Sequence, residues 1–299
     1  MDVNPIVLRG FLPLLVLLTV AAGSPGRTYG ARAQGAQAQV DQAQVQTTLS
    51  PAAAQGLLDR ALANELRAAQ SPGRLERYRL RKSTPRLTTT KEIVETSNGD
   101  VALLLSVNGQ PLSAVQKQQE QARLDDLLAN PGRQRHRQQS EDADSARALK
   151  VLGALPNAFI YSYAGPAPSP LGTIEKFTFK PNPDFDPPDL ETQILTAMTG
   201  QIWIDPAAER VTHIEGRLEH DIAVGWGILG RLNKGGWISI DQADVGEGRW
   251  RMVHLQMAMT ARVLFRTRTF DAVEEEGRFE PVPAGMDYRE AIEILRNGP

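Results

Sequence analysis

Two histidines and a glutamate lie within eight residues of one another, and side chains of these types could bind a metal ion. His213 and Glu215 are two positions apart, so a β-strand would place both on the same face. His220 alternates to the opposite, apolar face, where a histidine is more often a hydrogen-bonded part of the core. Because the three side chains do not converge on one point, we expect no metal site.

A glycine-rich segment, Gly225-Trp226-Gly227-Ile228-Leu229-Gly230, has the Gly-x-Gly-x-x-Gly spacing of a dinucleotide-binding loop. Such a loop holds a pyrophosphate only where a helix begins at its end, since the helix N-terminus binds the phosphates. The residues that follow, 231–236, are few and are interrupted by glycine. We therefore interpret the segment as a glycine-rich crossover between strands, and we expect no cofactor.

Motifs for hydrolysis are absent from the sequence. It contains no cysteine, no Gly-x-Ser-x-Gly and no His-Glu-x-x-His. Asp184 and Asp186 could form a carboxylate pair, but the proline-rich loop around them predicts a solvent-facing position that does not suit acid catalysis. The four tryptophans fit a sugar-binding platform or scattered core and rim positions equally well. The sequence therefore predicts no catalytic residue and a protein that is not an enzyme.

The elements that would position any site are mostly β-strands. The clearest is Trp250–Arg268, in which every second residue from Val253 to Phe265 is apolar. At ~3.3 Å per residue this segment spans ~40 Å, which is longer than most strands of globular proteins. A strand of this length with one apolar face indicates a strongly curved sheet or a barrel.

Other segments predict antiparallel pairs and single strands. Residues 91–96 and 101–107 form a hairpin through an Asn-Gly turn, and residues 201–205 and 210–222 form another through Pro206 and two alanines. Further strands are predicted at 75–84, 159–163 and 173–180. Together these segments favour one large antiparallel sheet.

Helical patterns occur at four places along the chain. Ser50 and Pro51 suit the start of a helix that ends before Ser71, and Met286–Leu295 predicts a short helix that docks on the sheet. Residues 112–130 and 133–152 predict two polar helices on either side of Pro131-Gly132. The basic cluster Arg133–Arg137 fits a solvated helix face, or a contact with an anionic membrane surface.

The first 33 residues have the pattern of a secretory signal peptide. The apolar run Phe11–Ala22 is shorter than the ~20 residues that span a bilayer, and an Ala-x-Ala cleavage pattern ends at Ala33. Residues 34–48 are low in complexity and predict a flexible leader. We therefore expect export to the periplasm, followed by cleavage near Ala33 or earlier.

Composition narrows the class of protein further. The chain has no cysteine, so it offers no residue for a lipid anchor or a disulfide. Its formal net charge of −2 gives no electrostatic basis for binding nucleic acid. We expect residues 49–299 to form one soluble domain with a helical segment at 112–154, and we expect it to be a monomer.

These elements predict an α+β protein, mainly antiparallel β, in which a curved half-barrel sheet carries helices on its concave face. If the helices do not fill the concavity, an apolar cleft remains, and such a cleft binds apolar molecules. Methionine suits an adaptable pocket wall, although ordinary core packing is the commoner reason for either methionine of the long strand. The residues predicted to line the cavity are Tyr78, Leu80, Ile214, Leu218, Leu255, Met257, Met259 and Val263.

The sequence resembles the LolA/LolB-like superfamily of periplasmic lipoprotein-sorting proteins, in an uncharacterised branch. The resemblance extends from about Arg74 to Pro283 and rests on the order of elements and on Gly200-Gln-Ile-Trp-Ile-Asp205 followed by Arg210-Val. Gly225–Leu232 and Lys234-Gly-Gly also resemble features of that branch. The resemblance implies a half-barrel closed by helices, with a cavity for acyl chains. No single functional residue transfers with it.

The expected function is therefore a periplasmic protein that binds a lipid or acyl chain, and that could carry lipid or lipoprotein across the envelope. The alternative is an envelope sensor or protein-interaction module that uses the same fold without an open cavity. In that case the helices of residues 112–154 would contact an envelope membrane protein.

Overall fold

The computed structural model describes residues 48–71, 73–170, 172–224, 230–263 and 266–298. The predicted signal peptide (1–33) and all of the predicted leader (34–48) except Thr48 lie outside these residues. Five residues of the glycine-rich segment, 225–229, also lie outside them.

The described chain contains five α-helices and thirteen strands. The helices are α1 (Pro51–Gln70), α2 (Ala114–Ala129), α3 (Pro131–Ala158), α4 (Leu190–Gln193) and α5 (Tyr288–Asn297). The strands before α4 are β1 (Glu76–Ser83), β2 (Thr88–Val94), β3 (Val101–Val107), β4 (Gln110–Pro111), β5 (Phe159–Ser169) and β6 (Gly172–Pro181). Those after it are β7 (Met198–Asp205), β8 (Arg210–Leu218), β9 (Ile222–Val224), β10 (Gly230–Leu232), β11 (Trp237–Asp244), β12 (Trp250–Val263) and β13 (Arg266–Pro281).

All thirteen strands belong to one antiparallel sheet. Its order is β4-β3-β2-β1-β13-β12-β11-β8-β7-β6-β5, with the short β9–β10 hairpin attached to β12. The two edges do not pair with each other, so the sheet is curved but open. This architecture confirms the predicted α+β half-barrel.

The main core lies between one face of the sheet, here called the inner face, and the helices α1 and α3. Leu255, Met257 and Met259 of β12 alternate onto this face and pack with Leu58 of α1 and Leu155 of α3. Most strands from β5 to β12 contribute to the same core. The long alternating strand thus faces helices, as its apolar period requires.

Helix α1 is fixed at its start and near its end. The Ser50 hydroxyl accepts a hydrogen bond from the N–H of Ala53, and Pro51 occupies the first helical position. Fifteen residues later the buried carboxylate of Glu65 accepts hydrogen bonds from the Arg210 guanidinium and from the N–H of Val211. These bonds attach the helix to the start of β8.

A second, smaller core lies at the β2–β3 end of the sheet, where α2 and α5 pack on Val94 and Val101. Helix α2 also covers the edge of β3 that the two-residue strand β4 leaves unpaired. The N–H of Leu104 donates to Glu120 Oε1 over 2.8 Å, and Arg123 donates to the carbonyl of Ala102. Side chains thereby satisfy backbone groups that an exposed edge would offer to another strand.

Three sequence predictions need correction. The predicted strand Trp250–Arg268 ends at Val263, and Arg266 already belongs to the antiparallel neighbour β13. The strand predicted at 210–222 stops at Leu218, and His220 is exposed rather than part of the core. The polar helix predicted at 133–152 begins at Pro131 and continues to Ala158. β13 was missed because half of its residues are charged and it shows no apolar alternation.

Candidate functional site

The residues predicted to line a cavity divide between two environments. Leu218, Leu255, Met257 and Met259 are each at most 5% exposed and belong to the main core, and Ile214 packs against its margin half-buried. Val263 ends β12, but its side chain lies outside the described part. The inner face under α1 and α3 is therefore packed with the chain's own side chains.

Tyr78 and Leu80, by contrast, lie on β1 beside charged groups. The Tyr78 ring stacks on Phe279 with centroids 5.5 Å apart, and the Arg251 guanidinium lies 5.5 Å from Tyr78 and 5.2 Å from Phe279. Leu80 is half-buried and pairs with Glu276 of β13. An acyl chain would meet charge here rather than a continuous apolar wall.

Arg251 is the centre of a buried ion network that sequence reasoning missed. Its guanidinium lies 2.7 Å from Glu95 and 3.2 Å from Glu76, and Arg249 forms a further ion pair with Glu76. Both carboxylates are at most 1% exposed. Burial alone would lower the pKa of Arg251, but the attraction of Glu95 outweighs it and raises the pKa above its ordinary value. The network joins β1 and β12 to the residue that follows β2.

Residues of the Gly-Gln-Ile-Trp-Ile-Asp stretch each have a structural role. A Cβ on Gly200 would lie 1.9 Å from the carbonyl oxygen of Glu215, so no other residue fits between β7 and β8. Ile202 and Ile204 are buried in the main core, and Asp205 accepts hydrogen bonds from the turn that follows. The motif on which the resemblance rests therefore builds the hairpin and supplies no open binding group.

A polar row crosses the opposite, outer face of the sheet on seven adjacent strands. Cross-strand pairing places its members side by side in the order Lys176, Trp203, His213, Asp241, His254, Glu275 and Arg81. Lys176 Nζ lies 4.1 Å above the Trp203 ring, which in turn lies 4.1 Å from the His213 ring.

His213 and Asp241 form the one arrangement in this row that could suggest acid–base chemistry. His213 Nδ1 lies 2.6 Å from Asp241 Oδ1, and Glu215 Oε2 lies 3.7 Å from Nε2. Nε2, however, is buried without a hydrogen-bond partner in the described structure, so a substrate could not reach it. The pair therefore positions the imidazole within a stack, and the predicted outward-facing His213 is in fact buried under Trp203.

The remaining candidate sites are two small surface pockets. Two adjoining pockets of about 370 and 530 Å³ lie where Leu75, the 281–285 turn and α5 meet, away from the predicted cavity. Among the described residues no cluster of three histidines or carboxylates could hold a metal ion. Within the same residues, no helix has both the length and the apolar character needed to cross a bilayer.

Comparison with known proteins yields no match among protein-family models, curated proteins or solved structures. The resemblance to the LolA/LolB-like superfamily therefore stays a prediction, and any functional conclusion rests on this chain's own residues.

Proposed function

We propose that this chain is a non-enzymatic binding module of the cell envelope that engages its partner through its surface and keeps its inner face closed. The observation that supports this proposal is the packing of the inner face. Leu255, at the centre of β12, is completely buried, and Met259 is 2% exposed beneath α1 and α3. A carrier would need this same surface for its cargo.

The attachment of the helices supports the same proposal. Glu65 of α1 is 5% exposed and is held by Arg210 on one side and by Gln242 on the other. Moving α1 away from the sheet would leave a buried carboxylate or a guanidinium without its partner, which costs several kcal/mol, of the order of 3–5. Release of α1 to admit an acyl chain is therefore unfavourable.

Native mass spectrometry of the purified protein, together with organic extraction, tests the proposal. We expect the mass of the polypeptide alone and no saturable binding of a fluorescent fatty acid. Leu255→Ala provides a matched comparison, because it opens an apolar cavity in the same core that can bind a small apolar probe such as benzene. One equivalent of co-purified lipid in the unmodified protein, or saturable fatty-acid binding, would overturn the proposal in favour of the lipid carrier.

A further inference from the structure

Six basic side chains collect at one end of the sheet, where β9, β10, β12 and β13 begin or end. This basic end comprises Arg217, Arg231, Lys234, Arg262, Arg266 and Arg268. All except Arg268 are exposed. Only two acidic residues, Glu219 and Asp221, lie in the same stretches of chain, 217–234 and 260–270, although the whole chain has a net charge of −2.

Strand pairing brings like charges together at this end. Arg231 of β10 lies directly opposite Arg262 of β12, and Arg266 opens the neighbouring strand β13. Arg231 has an ion pair, at 3.2 Å from Asp221, but Arg262, Arg266 and Arg268 form no ion pair within the described residues. Like charges directly opposite each other destabilise a sheet, so the chain gains nothing from this arrangement by itself.

The other end of the same strands is arranged differently. There Arg249 and Arg251, around the start of β12, form ion pairs with Glu76 of β1, and Arg251 also forms one with Glu95. The chain thus neutralises one end of the sheet internally and leaves the other positive. A positive surface of this kind matches an anionic partner.

We infer that the basic end binds the phosphate groups of an anionic membrane surface. This inference rests on the proposed function, because it names the surface and the partner of the binding module. Several arginines presented together at one end of the sheet suit a two-dimensional array of lipid phosphates, and each basic residue near such a surface contributes about 1 kcal/mol.

Vesicle co-sedimentation of the full chain tests the inference, with phosphatidylcholine vesicles that contain or lack phosphatidylglycerol. The test variant is Arg262→Gln/Arg266→Gln. The matched control is Arg67→Gln/Lys117→Gln, which removes two exposed charges from α1 and α2. We expect the test variant to lose about 30-fold in partitioning to anionic vesicles, from two contributions of about 1 kcal/mol, while the control stays near the unmodified chain. Added salt should weaken the difference.

The inference fails if the test and control variants lose vesicle binding equally, or if the unmodified chain binds equally well to vesicles without phosphatidylglycerol. It also fails if the test variant loses binding of inorganic phosphate, measured separately, while its vesicle binding is unchanged. Melting curves of all variants exclude unfolding as the cause, and Arg262→Lys/Arg266→Lys should retain binding. If native mass spectrometry finds a lipid inside the protein, the proposed function fails whatever the vesicles show. If the protein contains no lipid and vesicle binding is unaffected by the variants, only the membrane inference fails.

Discussion

The inner face of the sheet has two parts, one covered by helices and one half-exposed, and they carry different kinds of side chain. Under α1 and α3, strand β12 presents Leu255 and Met257 to a buried apolar core. One and two strands further along the same face, Glu274 of β13 lies opposite Leu255, and Lys82 of β1 forms an ion pair with Glu274. Apolar side chains occupy the part that helices cover, and charge pairs occupy the part that they leave half-exposed.

Whether helices cover a strand, rather than how that strand pairs, therefore decides which side chains its inner face carries. Burial of apolar area stabilises the covered part by roughly 25 cal/mol per Å². In the half-exposed part, paired charges add little, since an exposed ion pair contributes about 0–1 kcal/mol. The buried Arg251 network lies between the covered and the half-exposed part. Its charges carry a cost of desolvation, which their strong pairing offsets.

Arg251 lies at the boundary between the two parts, and its removal should lower the free energy of unfolding more than any other change considered below. Arg251→Leu leaves the carboxylates of Glu95 and Glu76 with too little positive charge in a buried position. We expect a loss of about 3–5 kcal/mol in the free energy of unfolding, measured by urea denaturation. Lys82→Leu, which breaks an ion pair that is half-exposed on the lysine side, should cost less than about 1 kcal/mol. Similar losses in the two variants would show that the buried network stabilises the fold no more than the half-exposed ion pair does.

Truncating one leucine to alanine in each part compares how much an apolar side chain stabilises the covered part and the half-exposed part. Leu255→Ala removes a completely buried side chain and should cost about 2–5 kcal/mol, because it combines lost transfer free energy with a cavity. Leu80→Ala removes the same atoms from a half-buried position on β1 and should cost clearly less, since its surroundings already admit water. Chemical denaturation of both variants gives the two values. If Leu80→Ala cost as much as Leu255→Ala, β1 would belong to the covered part after all.

The covered part was largely predictable from the sequence, and the charged part was not. Apolar alternation identified β12, the hairpin of β7 and β8, and helix α1, because a buried face must repeat with the period of its element. β13 carries three consecutive glutamates and shows no such alternation. The alternating arginines of β1 did not reveal it either, since Arg77 and Arg79 form ion pairs with Glu92 of β2 and only Arg81 forms one with Glu275 of β13.

Features that depend on distant partners were beyond sequence reasoning. Glu65 and Arg210 are 145 residues apart, and nothing local marks either as half of a buried pair. His213 alternates to the polar face as predicted, yet Trp203 on the neighbouring strand buries it. Filling of the inner face was also undetermined, because it depends on how closely α1 and α3 approach the sheet. The apolar pattern alone is the same for a packed core and for an open cavity.

Strand β3 offers a third test, since it lies at the far end of the charged part and its unpaired edge is closed by Glu120 and Arg123 of α2. Burial alone would raise the pKa of Glu120, but hydrogen bonds from Arg123 and from the Leu104 N–H outweigh it and hold the pKa below its ordinary value of 4.5. A carboxylate with a lowered pKa in the folded state stabilises the protein fully above its unfolded-state pKa. That contribution disappears as the pH falls through the lower, folded-state value.

Glu120→Gln should therefore destabilise the protein by about 1–3 kcal/mol at neutral pH, because Arg123 loses its charged partner and the Leu104 N–H loses a strong acceptor. The difference from the unmodified protein should narrow as the pH falls below 4.5, which unfolding at a series of pH values measures. Glu290→Gln is a suitable control, since its carboxylate only caps α5 at an exposed position. A difference that stayed constant down to low pH would show that packing of α2, rather than the charge of Glu120, closes the edge. The ion pairs of the charged part would then matter less to the fold than the two apolar cores.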